Sequence, residues 1–180
     1  MEKRLNLGCG TDLKEGYLNI DRKNYGNPKI FEMELNKYPW NLPNNHFEEI
    51  YLSHILEHLN IEKALLELIR ISKPGAFIKI RVPHHSNPHK RLCHTYEGFN
   101  TETFLKGSIN QLDNSEKLKA IKQLKVKLFI RSTSPHYMKA IKLKLLNKII
   151  NNNKLQNIYE RLFCYILPSS EIHYLLKIEK

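Results

Sequence analysis

Two glycines near the amino terminus, Gly8 and Gly10, stand one residue apart and follow a short apolar run. Glycine accepts positive φ and has no Cβ, so a ligand can pack directly on such a turn and bind its main-chain N–H groups. A second apolar run ends at Asp21, where a carboxylate can accept hydrogen bonds from the two hydroxyls of a ribose. This spacing favours a nucleoside-containing ligand. For these three residues alone, an ordinary strand and loop without a ligand remains the alternative.

Histidines form a second group of residues that could do chemistry. His54 comes at the end of a predicted strand, and His84, His85 and His94 lie in an irregular stretch between residues 83 and 99. Imidazole titrates near neutral pH and can remove a proton from an acceptor hydroxyl or amine. We therefore predict His54, His84 and His94 as candidate catalytic bases. A structural or substrate-orienting role is the alternative for each of them.

Two histidine patterns could also bind a metal ion. Residues 54–58 have the H-x-x-E-H spacing of the inverted zinc peptidases. The second pattern offers imidazole and thiolate ligands in the stretch after residue 83, namely His84, His85, His89, Cys93 and His94. The first pattern directly follows a predicted strand, and the second is irregularly spaced and close to prolines, so neither fits a zinc template well. The sequence therefore predicts no metal site, and this stretch is expected to line an acceptor site instead.

The composition is that of one globular domain. The chain has 180 residues, of which 41% are hydrophobic and 26% charged, which suits one buried core and is too little for two ordinary domains. The three cysteines are far apart and odd in number, so we expect reduced thiols. The amino terminus does not resemble a signal peptide, and we expect a cytoplasmic protein.

The net charge of +11 is concentrated in the second half of the chain. Between residues 116 and 154 many lysines accompany a single carboxylate, that of Glu116. Such a segment can attract the phosphates of nucleic acid or anionic lipid headgroups. The alternative is that these lysines bind no partner and only reflect the composition of the chain. The whole chain is rich in Lys, Asn and Ile, and exposed lysines usually belong to solvated surface.

Apolar periodicity predicts the elements that would position these residues. In the first half, residues 55–72 form one helix or a helix pair broken at Asn60, residues 73–75 end it, and strands are predicted at 5–7, 17–21, 29–33, 47–53 and 76–82. In the second half we predict a short helix at 101–111, a strand at 122–131, helices at 138–150 and 155–167, and a last strand at 171–179. This order is typical of an α/β fold whose functional groups gather at strand ends.

Four stretches of the sequence together resemble the class I S-adenosylmethionine-dependent methyltransferases of the type 11 kind. These stretches are residues 5–11, 18–21, 39–59 and 73–80. The resemblance implies a Rossmann-like α/β fold with a seven-stranded, mostly parallel sheet, helices on both faces and an antiparallel C-terminal strand. It also implies a single domain over residues 1–180, in which residues 83–170 form a loop and helical elaboration on the acceptor side.

The resemblance implies S-adenosylmethionine as the cofactor and assigns residues to it. The implied binding residues are Leu7, Gly8, Cys9, Gly10, Asp21, Glu34, Leu35, Ser53 and His54. Among them, the residues from Gly8 to Gly10 would line the methionine part, Asp21 would hold the ribose hydroxyls, and Leu35 would lie against the adenine ring. The sequence departs from the family at Asn6, where an acidic residue is common, and at residues 11–12, which replace a third glycine.

The implied function is transfer of a methyl group to an oxygen or nitrogen of a small-molecule or glycan-type acceptor. The chemistry is an in-line displacement for which the protein mainly supplies orientation. Two alternatives remain, an RNA methyltransferase that uses the basic second half and a module that binds S-adenosylmethionine without turnover. Residues 51–54 lack the Asn/Asp-Pro-Pro-aromatic motif of enzymes that methylate exocyclic base nitrogens. The amphipathic pattern at 138–150 leaves peripheral membrane contact open, although such a helix more often packs on the sheet.

Overall fold

The computed structural model describes residues 2–87, 94–96, 98–105, 112–129, 147–166 and 169–180. Its strands are β1 (Arg4–Leu7), β2 (Leu18–Asp21), β3 (Ile30–Glu32), β4 (Phe47–Ser53), β5 (Ser72–Pro83), β6 (Ile121–Phe129) and β7 (Glu171–Ile178). Its helical elements are a 3₁₀ turn (Leu56–His58), α1 (Ile61–Ile71), α2 (Ser115–Leu118) and α3 (Asn153–Ile158), which continues as a π-helical segment (Tyr159–Phe163).

The seven strands form one sheet in the order β3-β2-β1-β4-β5-β7-β6. The pairs among β1 to β5 are parallel, whereas β7 is antiparallel to both of its neighbours, β5 and β6. The predicted seven-stranded, mostly parallel sheet with an antiparallel C-terminal strand is therefore confirmed. Because parallel strands end at the same edge of a sheet, the residues that follow β1, β2 and β4 meet at this edge.

One face of the sheet carries the hydrophobic core. Alternate residues of the central strands are buried, as expected for strands with one apolar face, and these include Ile50, Leu52, Ile78, Ile80, Val82, Ile172 and Leu176. Leu65 and Leu68 of α1 belong to the same buried cluster. The helix begins after Asn60, whose side chain accepts a hydrogen bond from the Lys63 N–H at 3.0 Å. This cap confirms the predicted break at Asn60.

β5 begins earlier than the sequence predicts. α1 ends at Ile71, as expected, but residues 73–75 belong to the strand, so the expected strand start at residue 76 is wrong. Phe47 of β4 pairs with Ser72, and the next pair is Glu49 with Phe77, so β5 carries extra residues opposite β4. A bulge of this kind depends on the partner strand and leaves no periodic signal in the sequence.

The second half of the chain agrees only in part with its predicted elements. A bulge between Gln123 and Lys125 in β6 leaves Leu124 44% exposed, so the predicted apolar face is wrong at this residue.

The helices predicted in this half are confirmed in part. Residues 101–105 form turns instead of the start of a helix. The predicted helix at 155–167 is confirmed through residue 163 as α3 and its π-helical continuation. Of the predicted helix at 138–150, residues 147–150 are helical; the rest, with residues 106–111 and 130–131, lies outside the described residues.

The opposite face of the sheet is polar and partly open. Tyr51, Lys79, Leu175 and Lys125 lie side by side on β4, β5, β7 and β6. A groove of about 280 Å³ runs over this face, and its lining also includes Arg81, Lys127 and His173. Basic side chains of the second half therefore join those of β5 on one surface. In the part of the chain that the structure describes, no helix is long and apolar enough to cross a membrane.

Loops connect β1 to β2, β2 to β3 and β3 to β4. The loop at 33–46 is fixed to α1 by the buried Glu67, whose carboxylate accepts hydrogen bonds from the Trp40 N–H at 2.7 Å and from Arg70 Nη2 at 2.6 Å. Arg70 also donates to the carbonyl oxygens of Trp40 at 2.9 Å and Leu42 at 2.8 Å. These charge-assisted bonds replace the helix packing that usually orders such a connection.

Replacing Glu67 with Gln should destabilise the protein, because the amide keeps one acceptor oxygen and loses the charge that binds Arg70. We expect the free energy of unfolding, measured by urea denaturation, to fall by about 1–3 kcal/mol. Glu116→Gln is the matched control, because its ion pair with Lys119 is solvent-exposed and should contribute less than about 0.5 kcal/mol. Equal stability of the two variants would contradict an anchoring role for Glu67.

Candidate active site

A cavity of about 530 Å³ lies where β1, β2 and β4 end. Six of the residues predicted for cofactor binding line it, namely Gly8, Gly10, Asp21, Glu34, Leu35 and His54. Its volume is within the range of roughly 300–1,000 Å³ that small-molecule sites occupy. The structure thus brings the glycine turn, the aspartate after β2 and the first residues of the 33–46 loop to one site.

The glycine turn is tied directly to the end of β2. The Gly10 N–H donates a hydrogen bond to Asp21 Oδ2 at 2.8 Å, and the Cys9 N–H donates to the Ile20 carbonyl at 3.0 Å. Gly8 and Gly10 have backbone φ angles of +64° and +52°, which residues other than glycine rarely adopt. A Cβ on Gly8 would lie 2.6 Å from Ile55 Cβ, so a larger residue would clash with the segment after β4. The turn therefore needs glycine for both its conformation and its packing.

Asn6, at the position where the family often has an acidic residue, organises the loop after β1. It is buried, and its Nδ2 donates to Asn19 Oδ1 at 2.8 Å and to the Asp12 carbonyl at 2.9 Å. Asn19 Oδ1 in turn accepts a hydrogen bond from the Lys14 N–H at 2.9 Å. A carboxylate at this position could not donate these bonds, since it has no N–H. The departure from the family pattern therefore has a structural reason in this loop.

Six further residues line the cavity that the sequence analysis did not assign to it: Arg22, Tyr25, Asn36, Ile55, His58 and Leu59. Arg22 directly follows Asp21, and Tyr25, at φ +50°, is 57% exposed in the predicted turn. Asn36 donates to the His58 carbonyl at 3.1 Å, which joins the 33–46 loop to the 3₁₀ turn. In the sequence, Arg22 and Ile55 lie close to predicted strand ends, and His58 belongs to the H-x-x-E-H pattern.

Three predicted cofactor residues do not line the cavity. Leu7 and Cys9 are buried beneath the turn, and Ser53 pairs with Arg81 in the sheet. Burial and, to a lesser extent, the charge of Asp21 raise the pKa of the Cys9 thiol to about 11. Cys9 is therefore a protonated, unreactive thiol at neutral pH, and only the main chain of this segment is available to a ligand.

His54 lies at the cavity with its ring between two carboxylates. Its φ is +53°, and its N–H donates to the Arg81 carbonyl at 2.8 Å. Nε2 is 3.5 Å from Glu171 Oε1, and Nδ1 is 3.5 Å from Glu57 Oε1. Hydrogen bonding to Glu171 and then to Glu57 raises the pKa of His54 to about 9, against the opposing effect of burial. This pKa does not fit the predicted role of a base poised near neutral pH, because an imidazolium cannot accept a proton.

Glu171 is the common partner that links His54 to β5 and β7. Arg81 donates to both of its oxygens, from Nε at 2.8 Å and from Nη2 at 2.9 Å, and His173 Nε2 lies 3.3 Å away. Burial alone would raise the pKa of Glu171, but the hydrogen bonds from His173, His54 and Arg81 outweigh it and hold this pKa well below its usual range. Glu171 is thus a fixed anion that orients the His54 ring.

His84 is buried and does not line the cavity. Its Nδ1 is 2.8 Å from Ser86 Oγ, and its Nε2 is 2.9 Å from Glu160 Oε1 of the π-helical segment. The Thr101 N–H also donates to Glu160, at 2.9 Å. Burial favours the neutral form of Glu160, but hydrogen bonds from His84 and Thr101 lower its pKa below the usual range. Both ring nitrogens of His84 are thus engaged in joining β5 to the helical segment before β7.

His94 lies apart from His84, close to the cavity. Its ring centroid is 4.9 Å from that of His58, which lines the cavity. Among the described residues, two groups of side chains could hold a metal ion, Glu57 with His58 and His94, and His84 with His85 and Glu160; within each group the ligand atoms lie within 4.8 Å of one another. The structure therefore divides the predicted histidine-rich stretch between two places, and His89 and Cys93 lie outside the described residues.

The first half of the sequence matches a family profile. The methyltransferase domain family matches residues 2–80, which span β1 to β4, α1 and most of β5. No protein with a curated description matches the sequence. The profile match covers the same four stretches that carry the resemblance seen in the sequence, and it confirms that resemblance.

Solved structures with a similar fold cover nearly the whole chain. A SAM-dependent methyltransferase from Archaeoglobus fulgidus has a TM-score of 0.59 at 16% identity, over 98% of this chain and 86% of its own. An S-adenosylmethionine-dependent methyltransferase from Mesorhizobium loti has a TM-score of 0.54 at 12% identity, and the match covers 97% of this chain and 90% of its own. A phosphoethanolamine N-methyltransferase 2 from Haemonchus contortus, solved with S-adenosyl-L-methionine, has a TM-score of 0.50 at 13% identity, and the match covers 99% of this chain and 48% of its own. At these identities the likeness concerns the fold.

Replacing Gly8 with Ala should disrupt the turn more than replacing Gly26 with Ala. Both glycines have positive φ, +64° and +75°, so each substitution carries a conformational cost of about 1 kcal/mol. Only at Gly8 would the new Cβ also meet Ile55 at 2.6 Å, whereas nothing lies within 4 Å at Gly26. We expect thermal unfolding to show that Gly8→Ala lowers the free energy of unfolding by about 1–3 kcal/mol more than Gly26→Ala does. Equal reductions in the two variants would show that the turn does not pack on Ile55 as described.

Proposed function

We propose that this chain, which belongs to the class I S-adenosylmethionine-dependent methyltransferases, transfers a methyl group to an oxygen or nitrogen of a small-molecule or glycan-type acceptor. The observation that carries the proposal is the cavity where β1, β2 and β4 end, in which Gly10 and Asp21 are joined by a 2.8 Å hydrogen bond. We also propose a cytoplasmic location, with which the free thiols of Cys9 and Cys164 agree.

The residues of the cavity fit the cofactor that the family uses. The positions beside Gly10 are open, since no atom lies within 4 Å of where its Cβ would be, so a ligand can approach the main chain there. Asp21 uses Oδ2 for the Gly10 N–H, and its carboxylate can also accept bonds from ribose hydroxyls. The buried Leu35 offers an apolar surface to an adenine ring, and Glu34 can accept a hydrogen bond from its amino group.

The chain's own contribution to the reaction is mainly positional. When bound, the cofactor supplies a methyl group that is already activated by a sulfonium centre, so in-line alignment of the acceptor is what the protein has to provide. Ile55 and Leu59 form an apolar wall of the cavity and exclude water from this side. Arg22, Asn36 and His58 supply polar groups at the same cavity, which suits an acceptor with several oxygens.

We assign different roles to the three predicted catalytic histidines. His54 lines the cavity, and His94 touches His58 at its wall, so both can contact an acceptor. His84 is buried against Glu160 and acts as a positioning residue for the segment that leads into β7. The contact of His94 with His58 supports the proposal that residues 83–170 contribute to the acceptor side. One part of this range, β6, belongs to the sheet.

A transfer assay with methyl-labelled cofactor tests the proposed function. Purified protein is incubated with labelled S-adenosylmethionine and fractionated extracts that contain small molecules, glycans or RNA. We expect label to appear in a small-molecule or glycan fraction. Tight cofactor binding without labelled product in any fraction would instead support a binding module, and label in RNA would overturn the acceptor class.

Asp21→Asn serves as the matched variant for this assay. The amide retains one acceptor oxygen for Gly10 but loses the charge, so affinity for S-adenosylmethionine should fall by about 10- to 100-fold, roughly 1.4–2.8 kcal/mol. Isothermal titration measures this change, and Asp113→Asn is the control because Asp113 is an exposed carboxylate outside the cavity. Unchanged affinity in Asp21→Asn would remove Asp21 from the cofactor site.

The basic face of the sheet favours nucleic acid as the second candidate acceptor. Lys79, Arg81, Lys125 and Lys127 surround a groove that is also lined by Tyr51 and His173. Cations beside aromatic rings are the usual surface for single-stranded nucleic acid. If RNA is the acceptor, its affinity should fall steeply with salt, and Lys125→Gln with Lys127→Gln should weaken binding at least about 10-fold in fluorescence anisotropy. Affinity that depends on neither salt nor these lysines would exclude this candidate.

A further inference from the structure

Side chains from the two histidine patterns, neither of which is predicted to bind a metal, meet in the fold. Glu57 and His58 belong to the H-x-x-E-H pattern and lie in the 3₁₀ turn, while His94 belongs to the later histidine-rich stretch. Each of these three side chains offers one ligand atom, and these atoms all lie within 4.8 Å of one another. His54, the first residue of the pattern, has its ring between Glu57 and Glu171. The candidate cluster therefore takes two residues from the first pattern and one from the second.

Glu57 is a buried carboxylate with an unsatisfied oxygen. Its side chain is only 2% exposed, and Oε1 is 3.5 Å from His54 Nδ1. Among the described residues, Oε2 has no hydrogen-bond partner. A buried carboxylate oxygen without a partner is costly, and a bound cation would satisfy it.

The segment that carries His94 is fixed to the turn that carries the other two residues. The N–H groups of Thr95 and Tyr96 donate to the Glu57 carbonyl at 2.7 and 3.2 Å. Thr95 Oγ1 donates to the Leu59 carbonyl at 2.8 Å. The three side chains are therefore brought together by main-chain contacts around the cluster, and their proximity does not depend on side-chain rotamers alone.

We propose that Glu57, His58 and His94 bind a divalent transition-metal ion, for which Zn²⁺ is the best match. Two imidazole nitrogens and one carboxylate oxygen are a common protein ligand set for zinc sites that keep a fourth position open. Zinc–ligand distances of about 2.0–2.2 Å require ligand atoms roughly 3.4 Å apart. The ligand atoms, which lie within 4.8 Å of one another, therefore have to approach by at most about 1.4 Å, and the half-buried His58 and His94 have room to move.

The site would lie at the wall of the cofactor cavity, because His58 lines that cavity. This part of the inference depends on the proposed function: the open coordination position would bind an oxygen of the acceptor on the side where the methyl group is delivered. Metal binding itself does not depend on it. A titration without cofactor or acceptor can therefore succeed or fail separately from the transfer assay.

The other cluster provides an internal comparison. His84 has both ring nitrogens within hydrogen-bond distance of Ser86 and Glu160, and Glu160 accepts a further bond from the Thr101 N–H. A metal there would have to displace several of these bonds. In the first cluster, Glu57 Oε2 has no hydrogen-bond partner among the described residues. We therefore expect the ion at Glu57, His58 and His94, and not at His84, His85 and Glu160.

Titration of the full-length, chelator-treated protein with Zn²⁺ tests the site. We expect one equivalent to bind with Kd below about 1 µM, and Co²⁺ in its place to give the visible absorption of a four-coordinate site. Glu57→Gln, His58→Gln and His94→Asn should each weaken Zn²⁺ binding by about 100-fold or more, whereas His46→Asn, at the opposite end of β4 from the cluster, should not change it. Circular dichroism checks that each variant is folded, and His94→Asn decides the test if a change in the turn prevents folding.

Three results would overturn the proposal. The first is the absence of saturable Zn²⁺ binding below about 100 µM in the unaltered protein. The second is tight binding that His94→Asn leaves unchanged. The third is tight binding that His85→Asn abolishes and His94→Asn does not, because this would assign the ion to the other cluster.

Discussion

The hydrogen bond from the Gly10 N–H to Asp21 Oδ2 holds the whole candidate site in place. It joins the turn after β1 to the end of β2 and fixes the Asp21 carboxylate beside main chain that a ligand can reach. The same turn can pack against Ile55, after β4, only because Gly8 has no Cβ. The ends of three neighbouring strands are thus linked through two glycines and one aspartate, and the cavity forms between them.

The described connections between β1 and β4 are loops. Polar contacts therefore fix these connections in place, whereas α1 is fixed by packing on the sheet. The Asn6 and Asn19 amides order the loop after β1, and Glu67 with Arg70 attaches the 33–46 loop to α1. These loops carry residues that line the cavity. The conformation of these loops depends on buried hydrogen bonds. Such bonds tolerate few substitutions, because a buried donor or acceptor without a partner destabilises the folded protein. This explains why Asn6 can replace the family's acidic residue without loss of the turn.

The sequence predicted those features that depend on local patterns. Strands β1 to β4 and the break at Asn60 follow from the periodicity of the apolar residues, and Gly8, Gly10 and Asp21 follow from their spacing and from the resemblance. The start of β5 and the exposure of Leu124 could not be predicted, because a bulge depends on the register of the partner strand. The separation of His84 from His94 depends on tertiary contacts with Glu160 and Glu57, which no spacing in the chain reveals.

A crystal structure of the protein with S-adenosylhomocysteine would show whether the nucleoside lies in the cavity where β1, β2 and β4 end. We expect density with the ribose hydroxyls on Asp21, the adenine ring against Leu35 and the amino-acid part over Gly8 and Gly10. Density for the nucleoside at another place, or none at a saturating concentration, would contradict this binding site.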